Sequence, residues 1–379
     1  MADLLPIEPR PPGKWVEDEL EERGWTQADL AEIIGRPAQL ISEIVSGKRG
    51  ITPETAMGLA DAFGTSPELW MNLETRYQLA KSHAEAGPAI KDARVRRAKL
   101  YTYPVREMVK RGWIEPSQNV DVMEHQIEAF FGAPVGKIQH IGHAPKKTDA
   151  DPETTPSQLA WLYRAKMLSS ALQADRYSEK TARAAEQSLR GLMHEPVEIR
   201  HVPRILASAG IRFLVVEALP GSKIDGACFW LGEAKPVIAM SVRHDRIDNF
   251  WFVLRHELEH VIRNDGFGDD AIIDTDVLET AAAPLPAIEK RANDAAQEYC
   301  VSDYEMQRFI ARFKPLYSEK AIVQFAERIQ VHPGIVVGQL QGRGELHWKN
   351  LRKLLVKIRD FITSSALTDG WGVIPQVRA

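Results

Sequence analysis

The sequence predicts an α+β chain: an all-α N-terminal domain, a helical middle, and a mixed C-terminal domain. Three observations carry this reading. Before residue 80, short segments close on glycine or open on Thr-Pro and Ser-Pro pairs, with apolar residues spaced by three and four. Later, "IRFLVVE" (211–217), "GACFWL" (226–231) and "PVIAMSV" (236–242) form apolar runs separated by turn residues, as strands do. Directly after them, "FWFVLRHELEHVIRND" (250–265) is apolar nearly all round, which predicts a buried helix.

Taken in order, "KWVEDELEERG" is expected to stop at Gly24, and Thr26 to cap "TQADLAEIIG", which ends at Gly35. "RPAQLISEIVSGKRG" carries Pro37 at a first-turn position, where a missing N–H costs nothing. Thr52-Pro53 and Ser66-Pro67 open the next two helices. The apolar stripes are Leu30, Ile33 and Ile34; Leu40, Ile41, Ile44 and Val45; and Leu59, Ala60 and Phe63. These elements define a domain over 1–80. A helical connecting region is expected over 81–200, with a basic segment at 91–111 and a polar, proline-punctuated loop at 143–158. The mixed domain covers 201–345, where Asp248 is expected to cap the long helix and further helices fall near 286–302, 304–311, 317–329 and 333–341. Residues 346–379 read as a tail.

Composition narrows the class. Hydrophobic residues make up 44% and charged residues 26%, with a net charge of −4, as in ordinary globular proteins. No run of eighteen apolar residues predicts a membrane span, and "MADLLPIEPRPPGKW" does not read as a secretory signal. Cys228 and Cys300 are too few for a disulfide framework or a cysteine zinc site, so reduced thiols and a cytoplasmic location are expected.

The long helix carries the chemistry. Positions i and i+4 share a helix face, so His256 and His260 can present two imidazole nitrogens to one ion. Glu257 points off that axis, within reach of a water beside the ion. Such an H-E-x-x-H pattern supplies two ligands and a general base. Zinc accepts these nitrogens and lowers the pKa of a water it holds to near 7. A buried histidine pair held only by hydrogen bonds is the other reading. The third ligand is sought among Asp265, Asp269, Asp270, Glu279, Glu289 and Glu298. Glu289 is preferred, because it opens "EKRANDAAQEYCV", whose Ala292, Asn293, Ala296 and Cys300 share its face and permit close packing. Glu298 then faces outward.

"RHELEH" followed by "EKRANDAAQEYCV" resembles the ImmA/IrrE family of zinc metallopeptidases, over roughly residues 195–345. The resemblance implies a zincin-like α+β fold. It also implies zinc as cofactor, bound by His256, His260 and Glu289, with Glu257 as general base and a repressor protein as substrate. Glu259 stands where many members have glycine, and this extra carboxylate is expected to alter the cleft. Arg243, His244 and Tyr299 are candidates for stabilising an oxyanion. The strand at 236–242 is expected to pair with an extended substrate.

At the front, "TQADLAEIIGRPAQLISEIVSGKR" reads as two helices joined at Gly35, a helix-turn-helix whose second helix enters the major groove. Arg36, Pro37, Ala38, Gln39 and Ser42 are then candidate DNA contacts, with Gln39 suited to adenine. Gln27, Lys48 and Arg49 suit the phosphate backbone. Residues 1–76 hold seven basic and fourteen acidic side chains, yet 36–50 holds three basic and one acidic. Residues 13–80 are similar to HigA/VapI-type antitoxins of the Xre helix-turn-helix superfamily. That similarity implies a homodimer on a palindromic DNA operator, usually its own promoter. A toxin partner is a further possibility, although this domain is joined to far more chain than a lone antitoxin has. Three readings follow: a regulator with its own zinc endopeptidase, a regulator or antitoxin with a non-catalytic metal module, and an interaction protein in which neither motif acts.

Overall fold

A computed structural model describes residues 10–85, 88–135, 138, 154–267, 271–275 and 286–375. Asp269, Asp270 and Glu279, among the candidate ligands, lie outside them, as do residues 143–153 of the polar loop. The chain divides at Arg97/Ala98 into two compact units.

The first unit is all-α: α1 Pro12–Arg23, α2 Gln27–Ile33, α3 Ala38–Val45, α4 Pro53–Phe63 and α5 Pro67–Glu85. Thr26 caps α2 in a reciprocal capping box with Asp29, and Thr52 caps α4. Gly24 and Gly64 end α1 and α4 in the left-handed conformation. Pro37 is the N-cap of α3 and not a first-turn residue, its extended ψ of 135° standing just outside the helix. The core gathers Val16, Leu20, Leu30, Ile41, Ile44, Leu59, Phe63 and Trp70. Ile33, expected in the stripe, is 51% exposed, because the short α2 turns Leu30 and Ala31 inward instead. At Gly13 a Cβ would lie 2.0 Å from the Ile44 carbonyl oxygen, so α1 reaches α3 only without a side chain there.

The division between units falls within α6 (Pro88–Leu100). The second unit continues with α7 Val105–Lys110, α8 Val120–Phe131, α9 Pro156–Ser169, α10 Glu179–Arg190 and α11 Val202–Ser208. Strands β1 Arg212–Val216, β2 Ile224–Trp230 and β3 Pro236–Met240 follow, then α12 Ile247–Arg263, β4 Ile272–Thr275 and α13 Ala287–Cys300. Helices α14 Asp303–Phe313, α15 Glu319–Ile329, α16 Pro333–Gly342 and α17 Arg359–Thr363 precede β5 Leu367–Asp369. The mixed sheet has the order β4-β2-β3-β1-β5. Strand β1 runs parallel to β3 and β5, whereas β2 is antiparallel to β3 and β4.

Both faces of this sheet are covered, which is why its strands read as continuous apolar runs. Phe213, Val215, Cys228, Ile238 and Met240 join the core containing α12. The alternate residues Leu214, Val216, Ala227, Phe229, Val237 and Ala239 join a second core containing α8 and α9. The stretch 98–200, expected to connect domains, thus helps to cover the sheet: buried Trp161 on α9 donates from Nε1 to the Val216 carbonyl at 2.9 Å. The stretch expected as a tail likewise supplies β5. Its buried Asp369 accepts from Trp113 at 3.1 Å and pairs with Arg164. Asp248 does not cap α12. The N-cap is Arg246, and Asp248 sits in the first turn, where the Arg246 guanidinium grips its carboxylate at 2.6 and 3.0 Å. No described helix is long and apolar enough to cross a membrane.

Candidate metal centre

Helix α12 packs on β2, β3 and α13, and its site-bearing turn is interior: His256, Glu257 and His260 are at most 1% exposed. The two Nε2 atoms face each other at 3.0 Å. Glu289, from the first turn of α13, brings Oε2 to 3.4 Å from His256 Nε2 and Oε1 to 3.9 Å from His260 Nε2. Ala292, Ala296 and Cys300 are buried along α13, the small residues that let it approach α12. Glu298 is exposed and accepts from the Asp303 backbone N–H at 2.8 Å.

A fourth group joins them. Asp274 of β4, 2% exposed, sets Oδ2 at 3.2 Å from His256 Nε2 and 3.8 Å from His260 Nε2. One ligand atom from each of His256, His260, Asp274 and Glu289 lies within 4.8 Å of the other three. Asp274 was missed in the sequence because it follows no helical spacing from the histidines. An aspartate inside the apolar run "AIIDT" was the available signal.

The outer ring nitrogens fix the chemistry of the inner ones. His256 Nδ1 lies 2.9 Å from Asn293 Oδ1, and His260 Nδ1 lies 3.1 Å from Asp265 Oδ2. Both partners are acceptors, so each ring donates from Nδ1 and turns an Nε2 lone pair toward the cluster, as metal-ligating histidines do. Asp265 therefore meets the outer nitrogen of His260 and stands outside the four-group cluster. Burial opposes its charge, yet His260 and Arg291 hold its carboxyl below the ordinary range.

Two lone pairs at 3.0 Å beside two carboxylates demand a positive charge between them. Burial opposes an imidazolium at His256, but Asp274 and Glu289 outweigh it and push the group up to about 10. Burial raises the Glu257 carboxyl well above its usual value, and the Asp274 charge adds to the effect. Both carboxyl groups are buried at the cluster, Glu257 beside Asp274 and Asp274 Oδ2 against His256 Nε2. Nitrogen and oxygen donors of this kind fit zinc.

Glu257 lies against β2, where Gly226 makes room for it: a Cβ there would stand 2.1 Å from Glu257 Oε1. Gly226→Ala is expected to destabilise the unit by about 1–3 kcal/mol through overpacking, read from the midpoint of chemical denaturation. An unchanged midpoint would show that the carboxylate moves freely.

Glu259 does not alter this cluster. It accepts from Arg255 and Arg263, both at 2.9 Å, and Arg255 reaches on to Glu186 of α10 at 2.8 Å. This network ties α12 to α10. Arg243 grips Asp225 at 2.7 Å, His244 stands 3.9 Å from the same carboxylate, and Tyr299 donates to the Glu186 carbonyl at 2.9 Å. Strand 236–242 cannot pair with a substrate as expected, because β3 lies between β1 and β2.

In the first unit, Arg36, Pro37, Ala38, Gln39, Ser42, Lys48 and Arg49 are exposed around α3, and Gln27 is half-buried. Gln39 donates to Glu43 at 3.0 Å and Arg36 to Glu54 at 2.9 Å, while Arg49 stands 3.4 Å from Glu43. These are surface contacts that a phosphate or base edge can replace at small cost.

The helix-turn-helix family model matches residues 16–70. The uncharacterized HTH-type transcriptional regulator YddM of Escherichia coli (strain K12) is 32% identical over 86 residues, 23% of this chain and 87% of that relative. Virulence-associated protein A' of Dichelobacter nodosus is 34% identical over 82 residues, 21% of this chain and 71% of the relative. Among solved structures, a HigA-family addiction module antidote protein from Coxiella burnetii is 32% identical. It covers 23% of this chain and 95% of that chain, with a TM-score of 0.22. The Pseudomonas aeruginosa antitoxin HigA with the higBA promoter is 36% identical, covering 22% of this chain and 92% of its own, also at 0.22.

Proposed function

We propose, on the premise that the chain belongs to the helix-turn-helix family through residues 16–70, that it is a DNA-binding transcription regulator with its own zinc-dependent endopeptidase, acting on a helix-turn-helix repressor or on a second copy of itself. One observation carries the enzymatic half: the two Nε2 atoms and Glu289 converge beside the buried Glu257 carboxyl. The likeness of "RHELEH" and "EKRANDAAQEYCV" to the ImmA/IrrE family supports the same reading.

In this reading His256, His260 and Glu289 hold the ion, with Asn293 and Asp265 fixing the rings. A zinc ion held there would supply Lewis-acid polarisation of a peptide carbonyl and a more acidic water. Glu257 is the group placed to accept a proton beside the ion and to return it to the leaving nitrogen. Gly226 leaves room for that carboxylate. Co-expressing helix-turn-helix repressors with the wild type and with His260→Ala tests the proposal. Cleavage by the wild type alone is expected, and cleavage that persists in the variant sinks it.

A second reading is favoured by Asp274: a HigA-like antitoxin or autorepressor whose metal unit is a sensor or dimerisation module. Four protein groups around one point are typical of structural zinc sites. Operator binding without proteolysis of any candidate would select this reading.

For DNA, the exposed α3 surface supports Gln39 as a base contact and Lys48 as a phosphate contact. Gln39→Ala is expected to relax preference at one base pair by about 1–3 kcal/mol, and Lys48→Ala to weaken all sequences alike. Binding titrations on operator and random duplexes separate the two, and identical behaviour would misplace the recognition helix.

A further inference from the structure

We infer that Asp274 is a protein ligand of the cation, so that the site as folded is closed, and β4 acts as an internal peptide that must leave the edge of β2 before a substrate can enter. The inference rests on the zinc reading above.

Four observations lead there. The first is distance. Ligand atoms about 2.0–2.1 Å from a tetrahedral ion stand about 3.3–3.4 Å apart. Here the Nε2 pair is 3.0 Å apart, Asp274 Oδ2 is at 3.2 and 3.8 Å, and Glu289 is at 3.4 and 3.9 Å. Asp274 fits the polyhedron as well as Glu289 does.

The second is the state of the Asp274 carboxylate. Its Oδ2 is buried and faces His256 Nε2 at 3.2 Å and His260 Nε2 at 3.8 Å, and a carboxylate so buried is costly unless a positive charge, carried by a proton or a cation, satisfies it. A single proton on His256 Nε2 can be donated to Asp274 or to His260, whereas a cation satisfies both at once.

The third is the strand that carries it. β4 is a four-residue edge strand, antiparallel to β2, with Asp274 paired to Gly226, the residue against which Glu257 rests. The pairing register shifts between Ile224 and Gly226, so β4 joins β2 by an irregular ladder. Extended peptides commonly bind by adding a strand to a sheet edge. The edge of β2 nearest the base is already taken by β4.

The fourth is ligand count. Catalytic zinc sites keep three protein ligands and one open position, whereas sites with four are closed. With Asp274 in place, no position remains for water or a carbonyl oxygen. Moving β4 away removes one ligand, opens one position and frees a strand edge in the same step.

Full-length protein loaded with cobalt(II) in place of zinc tests this, with acetohydroxamate as the probe of an open position. The wild-type visible bands are expected to stay unmoved as acetohydroxamate is added. In Asp274→Ala and in the isosteric Asp274→Asn the bands are expected to shift on the same titration. A wild-type spectrum that responds as the variants do overturns the closed-site inference and leaves the three-ligand reading standing. Wild type that takes up no cobalt overturns both. Should the variants fail to fold, the wild-type titration still decides: a response refutes closure, and its absence in cobalt-loaded protein supports it.

Discussion

Glu257→Gln is expected to slow hydrolysis of any repressor that the wild type cuts by about 10²–10⁴, with zinc content unchanged. The substitution keeps the size of the side chain, so the room made by Gly226 still fits it. It removes only the ability to accept a proton. Without a cation, burial and the Asp274 charge hold the Glu257 carboxyl well above its usual range, which disfavours the ionised form that a base needs. A dication among His256, His260 and Glu289 would offset that negative charge and favour the ionised form of the group. Base and metal are therefore coupled, which separates this prediction from a simple folding defect. Zinc content by mass spectrometry and turnover of the cleaved repressor are the two readouts. Loss of zinc together with loss of activity would make Glu257 a structural residue, and full activity in the glutamine variant would remove it from the mechanism.

Much of this arrangement could be read from local sequence. Thr26, Thr52 and Ser66 mark helix starts because capping is decided within three or four residues. The pairing of His256 with His260 follows from helix geometry alone, and Glu289 from the small residues that share its face. What escaped depends on contacts between distant segments. Asp274 reaches the cluster through the pairing of β4 with β2, and no spacing rule relates it to His260. β5 escaped similarly: "LTD" is too short to stand out, yet it pairs with β1 some 150 residues earlier and buries Asp369 against Trp113 and Arg164. Asp248 misled because an aspartate just ahead of an apolar run looks like a cap, whereas here Arg246 grips it inside the first turn. Glu259 misled in another way. Its position beside a ligand suggested the cleft, but Arg255 and Arg263 draw it into the α10 contact.

Proton and cation must compete for the same lone pairs, and the direction of that competition gives the second large effect. His256, pushed up to about 10 by Asp274 and Glu289 against the opposing effect of burial, keeps its proton throughout the neutral range in the cation-free protein. Each bound zinc must therefore expel at least one proton. Apparent zinc affinity is expected to rise at least about tenfold per pH unit, or at least about 100-fold between pH 6.5 and 8.5, as a chromophoric chelator would report, and more steeply where Glu257 gives up a proton as well. The sign for stability runs the other way. Because the folded pKa of His256 lies above its unfolded value near 6.5, its contribution is fully present below that pH. The contribution is lost as the pH climbs toward about 10. Cation-free protein should thus melt at progressively lower temperature over this window, while zinc-loaded protein, whose Nε2 atoms carry no proton to lose, should hold its melting temperature. A zinc affinity that does not change with pH would mean that His256 is neutral before the metal arrives. The facing pair of nitrogens would then be an ordinary hydrogen bond rather than a place prepared for a cation.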